Sequence, residues 1–420
     1  MQPVRVVIVT QYYPPEPIPK PHELARGLVE RGHEVVVITG FPNYPAGRLY
    51  ADTQMRPWKW DDVDGIRVLR LPLYADHSRS VVRRALNYGS FAVAAGLLGS
   101  ILSGPVEVIF AEHPPLTIGL AAWIIGRLRQ VPFLYAVNDL WPESVAATGM
   151  VRSRRLLDYV GRLERFVYRR AAAIAVISPG FKANLAGKGV SPEKVHVIPH
   201  WADESLYRPV PPDSRLAEDL GMAWRFNVVF AGQLGLAQGL DVVLDAADEL
   251  SDLPDVQFVL VGDGTDADRL RQAAGQRGLK NVHFLGRQPA ERMPHIFAVS
   301  DVLLVHLRDE PLFRITIPSK TIAYMACGRP VLTAVEGDAA DLIRDTGAGV
   351  TCRAGDAKDL AKSVSRLRAM PRTALEEMGR AGRAAFLTSY SRSVLLDRYE
   401  AILSELARSK TQKRESECVS

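Results

Sequence analysis

Apolar, β-branched runs alternate with helical patterns along almost the whole chain. In the first half, five such runs are apolar on both faces, which is typical of parallel strands covered by helices. They are Val4 to Thr10, Glu34 to Gly40, Val106 to Glu112, Pro132 to Asn138 and Ala172 to Ser178. The helical pattern from His22 to Arg31, closed by Gly32, lies between the first two runs and predicts a βαβ unit.

The same alternation restarts after a proline-rich stretch at residues 199–214, which we interpret as an interdomain linker. The later strand-like runs are FNVVFAG, VQFVLVGDG, VHFLGR, DVLLVHL, RPVLTAV and AGVTCR. A chain of 420 residues is also too long for one core of ordinary size. We therefore predict an α/β protein with two Rossmann-like, doubly wound domains, at residues 1–200 and 215–390, that face each other across a cleft. A closing helix at 391–408 and a disordered tail at 409–420 complete the prediction.

Two segments interrupt this alternation. Residues 85–106 contain no charged side chain, and Arg79, Arg83 and Arg84 precede them. A helix packed beside the sheet and a short membrane anchor both fit this pattern. The second segment combines an apolar stripe with seven arginines, which fits either a solvated face over a packed stripe or a helix on anionic lipid. These are Arg152, Arg154, Arg155, Arg162, Arg165, Arg169 and Arg170.

Composition narrows the functional classes only slightly. The formal net charge of +5 and the pI near 9.0 favour anionic ligands or an anionic membrane surface without requiring either. No basic run interleaved with aromatic residues indicates nucleic-acid binding. The three scattered cysteines indicate a reducing compartment, with neither a disulfide framework nor a zinc site. The N-terminus has no signal-peptide pattern, so we expect a cytoplasmic protein.

The stretch PSKTIAYMACGRPVLT, from Pro318 to Thr333, carries the first chemical signal. It predicts that Ser319 caps a short helix that Gly328 ends, with Lys320 in the first turn. A helix N-terminus carries partial positive charge, so a cation there is disfavoured unless an anion shares the site. We therefore expect Lys320 to bind an anion.

The other strand-end loops of the second domain support a phosphate site. Gly232 and Gly235 permit close approach of the backbone, and the helix after Gly239 offers a free N-terminus. Arg314 is the second cation near the expected anion. Two helix N-termini and two cations fit a diphosphate better than a carboxylate. Tight turns and ordinary surface charges would give the same pattern at any one of these loops.

Polar side chains also end the strands of the first domain. Asn138 and Asp139 follow a buried strand, directly before Trp141, and Glu112 and His113 end the preceding strand. A carboxylate backed by tryptophan at a strand end is suited to bind a sugar or an acceptor hydroxyl. A strand-end Asp is equally often only a helix cap, and a His often only packs.

Together these stretches resemble the retaining nucleotide-sugar glycosyltransferases of the GT-B fold, family 4, and among them the bacterial exopolysaccharide and O-antigen enzymes. The matching stretches are YYPPE, LARGLVERGHEVVVITGFPNYPAGRLY, HPPLTIGLAAW, NDLWPES, VIPHW, AGQLGLAQGLD, VGDG, VHFLGRQP and LFRITIPSKTIAYMACGRPVL. They cover nearly the whole chain in the family's order. The set is specific, although each piece alone is weak.

The residue patterns and the resemblance together give an expected role to each named position. Donor-binding residues would be Gly232, Gly235, Gln238, Gly239, Gly286, Arg287, Arg314, Ser319, Lys320 and Ala323. Asp139, Glu112 and His113 would serve catalysis, and Tyr13, Tyr44, Asn138 and Trp141 would lie on the acceptor side. The implied donor is a nucleotide sugar, UDP-linked, and the implied acceptor is a lipid-linked saccharide at the inner face of the membrane. No metal cofactor is expected, because protein cations and helix ends would neutralise the leaving diphosphate.

Several positions depart from the family's pattern. The position of Ala323 normally holds a glutamate that binds the donor ribose, and the partner glutamate eight residues earlier is Ile315. Gln238 stands where many members have a phosphate-binding lysine, His113 where close relatives have a small residue, and Asn138 where an arginine is frequent. Two alternatives to an active transferase therefore stay open. One is an epimerase of UDP-hexosamines with the same fold, and the other is a weakened protein that binds nucleotide sugars as a partner.

Overall fold

The computed structural model describes residues 2–78, 80–147 and 153–419. Arg79 and Arg152, two of the basic residues named above, lie outside these ranges. The chain forms two compact units. The first comprises Met1–Ile177, Phe181–Ile198 and Leu396–Ser420, and the second comprises Ser178–Gly180 and Pro199–Leu395.

The first unit is built on an eight-stranded sheet in the order β3-β4-β2-β1-β5-β6-β7-β8. Every strand pair is parallel except β3 with β4. The strands are β1 Arg5–Val9, β2 Glu34–Gly40, β3 Lys59–Val63, β4 Ile66–Leu71, β5 Val108–His113, β6 Phe133–Val137, β7 Ala173–Val176 and β8 Val195–Val197. All five strands predicted in this half are present, and three strands were not predicted: the antiparallel hairpin β3–β4 and the edge strand β8.

The helices that accompany this sheet are α1 Lys20–Glu30, α2 Val81–Leu102, α3 Ile118–Arg129, α4 Glu143–Ala147, α5 Arg154–Arg170 and α6 Pro179–Gly187. A 3-10 turn, Pro192–Lys194, precedes β8. Helix α2 contains most of the uncharged segment noted above, residues 85–102, and carries Arg83 and Arg84 in its first turn. It contacts β2, β4 and α3, and Gly96 lies directly against Ile124 of α3. Helix α3 in turn contacts α5, where the rings of Trp123 and Phe166 meet edge to face at 5.0 Å.

The second unit has a fully parallel six-stranded sheet in the order β11-β10-β9-β12-β13-β14. Its strands are β9 Phe226–Ala231, β10 Val256–Val261, β11 Val282–Gly286, β12 Val302–His306, β13 Val331–Ala334 and β14 Gly349–Thr351. The six predicted runs correspond to these six strands. Two buried apolar clusters lie in this unit, and both include side chains from its strands, such as Val229 in one and Phe230 in the other.

The remaining helices are α7 Ser214–Asp219, α8 Asp241–Glu249, α9 Ala267–Gln276, α10 Met293–Ala298, α11 Pro311–Arg314, α12 Ser319–Ala326, α13 Asp338–Thr346, α14 Ala357–Arg368, α15 Arg372–Ser389 and α16 Arg392–Val419. Two 3-10 turns, Leu236–Gln238 and Ala290–Arg292, follow β9 and β11. The prediction that Ser319 caps α12 is wrong, because the helix begins at Ser319 itself and Pro318 precedes it without a side-chain hydrogen bond.

The last helix packs on the first unit. Leu396 lies against Gly27 of α1, and the ring of Tyr399 meets Phe110 of β5 edge to face at 5.5 Å. Arg31 forms an ion pair with Glu400 at 3.1 Å, and His33 Nε2 donates a hydrogen bond to the same carboxylate at 3.1 Å. Helix α16 continues to Val419, eleven residues beyond the predicted end at 408.

Candidate functional site

Several predicted donor residues of the second unit lie at or just after the carboxyl ends of β9 and β11, and the others lie in α11 and α12. Three glycines connect there: Gly232 donates its N–H to Val261 at 2.9 Å, and Gly262 donates to Gly286 at 2.8 Å. A Cβ on Gly262 would lie 1.8 Å from the carbonyl oxygen of Gly232, and its φ of +139° also favours glycine. The structure therefore brings Gly232 and Gly286 together through Gly262, which the sequence analysis did not single out.

Lys320 lies beside this glycine cluster without a hydrogen-bond partner. Its Nζ atom is 3.5 Å from the ring centroid of Phe230 and 3.0 Å from the place where a Cβ on Gly232 would be. The Nζ atom is buried and makes no hydrogen bond. Burial lowers the pKa of this amine from 10.5 to about 7. An unpaired buried amine at strand-end glycines is the strongest sign of an anion site in the unit.

The turn after β9 is fixed from β12. Gly235 precedes the 3-10 turn, and Gly239 ends it in the left-handed conformation with φ +59°. His306 Nδ1 lies 2.6 Å from the carbonyl oxygen of Gln238, and Arg308 donates its N–H to Ala237 at 3.0 Å. The Gln238 Oε1 and His306 Nε2 atoms are both buried without a partner. The sequence analysis did not identify His306, because a single histidine at the end of an apolar strand is typical of a core residue.

The remaining donor candidates are either exposed, already paired with carboxylates, or without a polar side-chain group. Arg314 is half-exposed and already bound: its guanidinium donates to Asp309 at 2.8 Å and lies 3.4 Å from Glu336. Its hydrogen bonds to Asp309 raise the pKa of Arg314 above its usual value. Ser319 and Arg287 are exposed. Ala323 is half-buried one turn after Lys320, so it stays on the face of α12 that begins with Lys320.

In the first unit, Glu112 and Asn138 meet at the carboxyl ends of β5 and β6. The Asn138 side-chain amide donates to Glu112 Oε1 at 3.1 Å. Burial raises the pKa of Glu112 to about 7, against the opposing effect of Lys20, whose own pKa burial lowers to about 8. The carboxyl group therefore titrates near neutral pH, which suits proton transfer. Lys20, at the start of α1, is a second residue that sequence reasoning missed.

Asp139 fixes the tryptophan that follows it. Its Oδ2 accepts hydrogen bonds from Trp141 Nε1 at 3.2 Å and from Ser144 Oγ at 2.9 Å, and burial raises the pKa of this carboxyl group. Trp141 packs edge to face on His113 at 5.5 Å and lies 6.0 Å from the ring of Tyr88. His113 is buried, and burial lowers its pKa to about 3, so this imidazole is neutral at physiological pH. His113 thus supports Trp141 by packing.

A second aromatic group surrounds Tyr44. Its ring lies 4.9 Å from Tyr12 and 5.3 Å from His77, and its backbone N–H donates to buried Glu16 at 2.8 Å. Tyr13, in contrast, is fully buried, and its hydroxyl is bound to His22 at 2.9 Å. Tyr13 therefore does not line a surface on which an acceptor could bind, whereas the Tyr44 group does include half-exposed rings. Tyr12, Glu16 and His77 had no sequence signal beyond their place in strand-end loops.

Comparisons with known proteins agree with this geometry. Residues 20–201 match the family described as "Glycosyl transferase 4-like domain", and residues 225–369 match "Glycosyl transferases group 1". A relative from Escherichia coli (strain K12), named as the colanic acid biosynthesis glycosyl transferase WcaI, is 27% identical over 74% of this chain and 78% of its own. The GDP-mannose-dependent alpha-(1-6)-phosphatidylinositol monomannoside mannosyltransferase of Mycolicibacterium smegmatis is 30% identical over 90% of this chain and 92% of its own.

A solved structure gives the same fold. Anabaena Alr3699/HepE, in complex with UDP, aligns with a TM-score of 0.70 and 18% identity over 96% of this chain and all of the other. Within the described ranges, no group of three or more His, Cys, Asp or Glu side chains is arranged to hold a metal ion. The family matches, the relatives and the two parallel sheets place this chain among the family 4 glycosyltransferases of the GT-B fold.

Proposed function

We propose that this protein transfers a sugar from a UDP-linked donor to a lipid-linked saccharide in the biosynthesis of a cell-surface polysaccharide, with retention of the anomeric configuration. The observation that carries the donor half is the buried, unpaired Nζ atom of Lys320 beside the strand-end glycines. Electrostatic stabilisation of a leaving diphosphate needs such a preorganised cation. The relative named for colanic acid biosynthesis supports the polysaccharide pathway, and the UDP complex of HepE supports the nucleotide.

The donor assignment is tested by nucleotide binding. We expect UDP to raise the unfolding temperature of the protein more than GDP or dTDP does, and Lys320→Met to remove this effect. Lys280→Met is the matched control, because Lys280 is an exposed lysine of the same unit. The mannosyltransferase relative is named for GDP-mannose, so a larger effect of GDP would overturn the choice of UDP. Binding of UDP without sugar transfer would favour the nucleotide-sugar-binding partner protein instead.

The lipid-linked half of the proposal rests on α2. Among the described residues, α2 is the one helix long and apolar enough to cross a membrane. Its inner face is packed, however, with Phe91 buried and Gly99 against Ile38 of β2. Its outer face exposes an apolar stripe: Val82 70%, Leu86 53%, Val93 56%, Leu97 51% and Ile101 73%. A helix held on one side and apolar on the other is suited to lie on a bilayer and not to span it.

Helix α5 supplies the charge that an anionic bilayer would attract. Six arginines of this helix are exposed, and within the described residues none of the six pairs with a carboxylate. These are Arg154, Arg155, Arg162, Arg165, Arg169 and Arg170. In the second unit, by contrast, Arg269, Arg277 and Arg368 all bind aspartates. Unpaired basic residues near a membrane contribute about 1 kcal/mol each with anionic lipids. We infer that α2 and α5 hold the first unit on the cytoplasmic membrane face.

Vesicle sedimentation tests this inference. We expect the protein to sediment with phosphatidylglycerol vesicles at low salt and to be released by salt, because surface attraction is screened over about 10 Å at 0.1 M. The variant Leu97→Glu/Ile101→Glu should stay in the supernatant while it keeps its fold, since both side chains are exposed. Leu387→Glu changes an exposed leucine of α15 in the second unit and should bind vesicles like the parent. Equal sedimentation of all three proteins would contradict the inference.

A further inference from the structure

His306 closes β12 with an imidazole that is 1% exposed, and neither the sequence pattern nor the family resemblance gave it a role. Its Nδ1 atom lies 2.6 Å from the carbonyl oxygen of Gln238. A carbonyl oxygen can only accept, so Nδ1 must carry the hydrogen. The opposite nitrogen, Nε2, is therefore the atom whose protonation is free to change.

The Nε2 atom is buried without a hydrogen-bond partner, and so are Lys320 Nζ and Gln238 Oε1. Burial lowers the pKa of His306, against the opposing hydrogen bond to the Gln238 carbonyl, and the charge of Lys320 lowers it further. A buried polar group without a partner costs about 1 to 3 kcal/mol. Such atoms around one turn are expected where a ligand completes their hydrogen bonds.

We propose that His306 is a further donor-binding residue, in which Nδ1–H fixes the 236–238 turn and Nε2 takes up a proton from solvent to donate a hydrogen bond to the donor diphosphate. This inference rests on the proposed function, since it presupposes a nucleoside diphosphate beside Lys320. No covalent bond of the ligand changes in this step. One proton moves from solvent to Nε2 on binding and returns to solvent when the diphosphate leaves.

The charges around the imidazole give the sign of the pH dependence. Lys320 of α12 is the titratable group that acts on it, while Phe230 of β9 borders the lysine and Gln238 offers only neutral atoms. Arg308, two residues further along the chain, lies 3.6 Å from Glu310. Without ligand, burial and Lys320 keep His306 neutral. A bound diphosphate raises the pKa of Nε2. The affinity for the diphosphate should therefore fall as the pH rises above the pKa that His306 has in the free protein.

Two substitutions separate the two nitrogens of the ring. In His306→Asn, the amide can replace Nδ1–H toward Gln238, but nothing replaces Nε2. In His306→Gln, the longer amide can replace Nε2–H, but the bond to the Gln238 carbonyl is lost. We expect His306→Asn to bind UDP about tenfold more weakly at pH 6.5, the worth of one hydrogen bond to a charged group. It should also take up less proton on binding than the parent. His306→Gln should bind with a weaker dependence on pH.

Calorimetry with UDP in two buffers of different ionisation enthalpy measures both affinity and proton uptake. Equal affinity and equal proton uptake in the parent and in His306→Asn would overturn the proposal. Equal losses in both variants, with equal losses of thermal stability, would also overturn it, because they would show a purely structural role. If the parent binds no nucleoside diphosphate, the proposed function fails and this inference fails with it. If the parent binds UDP and His306→Asn is unaffected, only this inference fails.

Discussion

The structure predicts that replacing Lys320 by methionine stabilises the free protein while it abolishes donor binding. The Lys320 Nζ atom is buried without a hydrogen-bond partner, and the pKa of this amine falls from 10.5 to about 7. At about 1.36 kcal/mol per pH unit, this difference corresponds to roughly 5 kcal/mol against the charged form. Methionine has a similar length and no charge to desolvate, so this cost disappears in the variant.

The measurable gain in the free energy of unfolding is smaller than the full cost of burying the charged amine. Near pH 7 the folded protein can release the proton, and the attraction of the Phe230 ring at 3.5 Å offsets part of the cost. Local relaxation lowers it further, and we expect a gain of about 1 to 3 kcal/mol. In a unit of about 200 residues this corresponds to a rise of roughly 2 to 12 °C in the unfolding temperature.

The dependence of the stability gain on pH shows whether it comes from the buried amine of Lys320. Between pH 7 and 10.5 the unfolded state binds more protons than the folded state, because the folded pKa of Lys320 is the lower one. The free energy of unfolding of the parent should therefore rise with pH across this window, and the gain of Lys320→Met should shrink toward zero near its upper end. Below the folded pKa the gain is largest.

Differential scanning calorimetry at about pH 6.5 and about pH 9.5, with and without UDP, tests the prediction, with Lys280→Met as control. The expected result is a variant that is more stable than the parent without UDP and that no longer responds to it. A loss of stability in Lys320→Met near neutral pH would refute the reasoning, since it would show that the amine has a favourable partner in the free protein. A gain that is equal at both pH values would refute the assigned pKa.

Two further substitutions test the remaining site assignments. Ala323→Glu places a carboxylate one turn after Lys320, and calorimetry should show UDP affinity about tenfold tighter, from one regained charge-assisted hydrogen bond less the cost of ordering the side chain; equal or weaker binding by a folded variant would place the ribose elsewhere. Asp139→Asn keeps an oxygen to accept from Trp141 and Ser144 but removes the charge, so kcat should fall at least tenfold with little change in the unfolding temperature. An unchanged kcat would make Asp139 only the support of Trp141.

The alternation of apolar and helical segments predicted five of the eight strands of the first sheet and all six of the second, because parallel strands covered on two faces leave a continuous apolar signature. The hairpin β3–β4 was not predicted because it lacks this continuous apolar signature at its start. Its first strand, KWDDV, is polar and has no buried residue, so it carries no such signature. The helix α16 was predicted as a closing helix, but its place in the fold was not. Its contacts, Tyr399 with Phe110 and Leu396 with Gly27, join residues far apart in the sequence, and periodicity cannot reveal such contacts.

The sequence pointed to the candidate site only where one residue breaks a local rule. Lys320 does so, because a cation in the first turn of a helix is unfavourable without an anion. His306, Lys20 and Glu16 break no local rule. Their significance comes from burial and from partners such as Gln238, Glu112 and Tyr44 on other strands' loops. Contacts of this kind exist only after the sheet has formed.

The two cations assigned to the diphosphate differ in the free protein, and the difference bears on how the site works. Arg314 is neutralised by Asp309 and Glu336, so a diphosphate that engaged it would compete with two carboxylates that are already bound. Net gain from an exposed pair of this kind is about 0 to 1 kcal/mol, and exchanging one anion for another gains little more. Lys320 has no such partner to lose, and a ligand there also relieves the cost of its burial. On the proposed assignment, most of the binding energy would therefore come from Lys320, and the neighbouring atoms that also lack hydrogen-bond partners are His306 Nε2 and Gln238 Oε1.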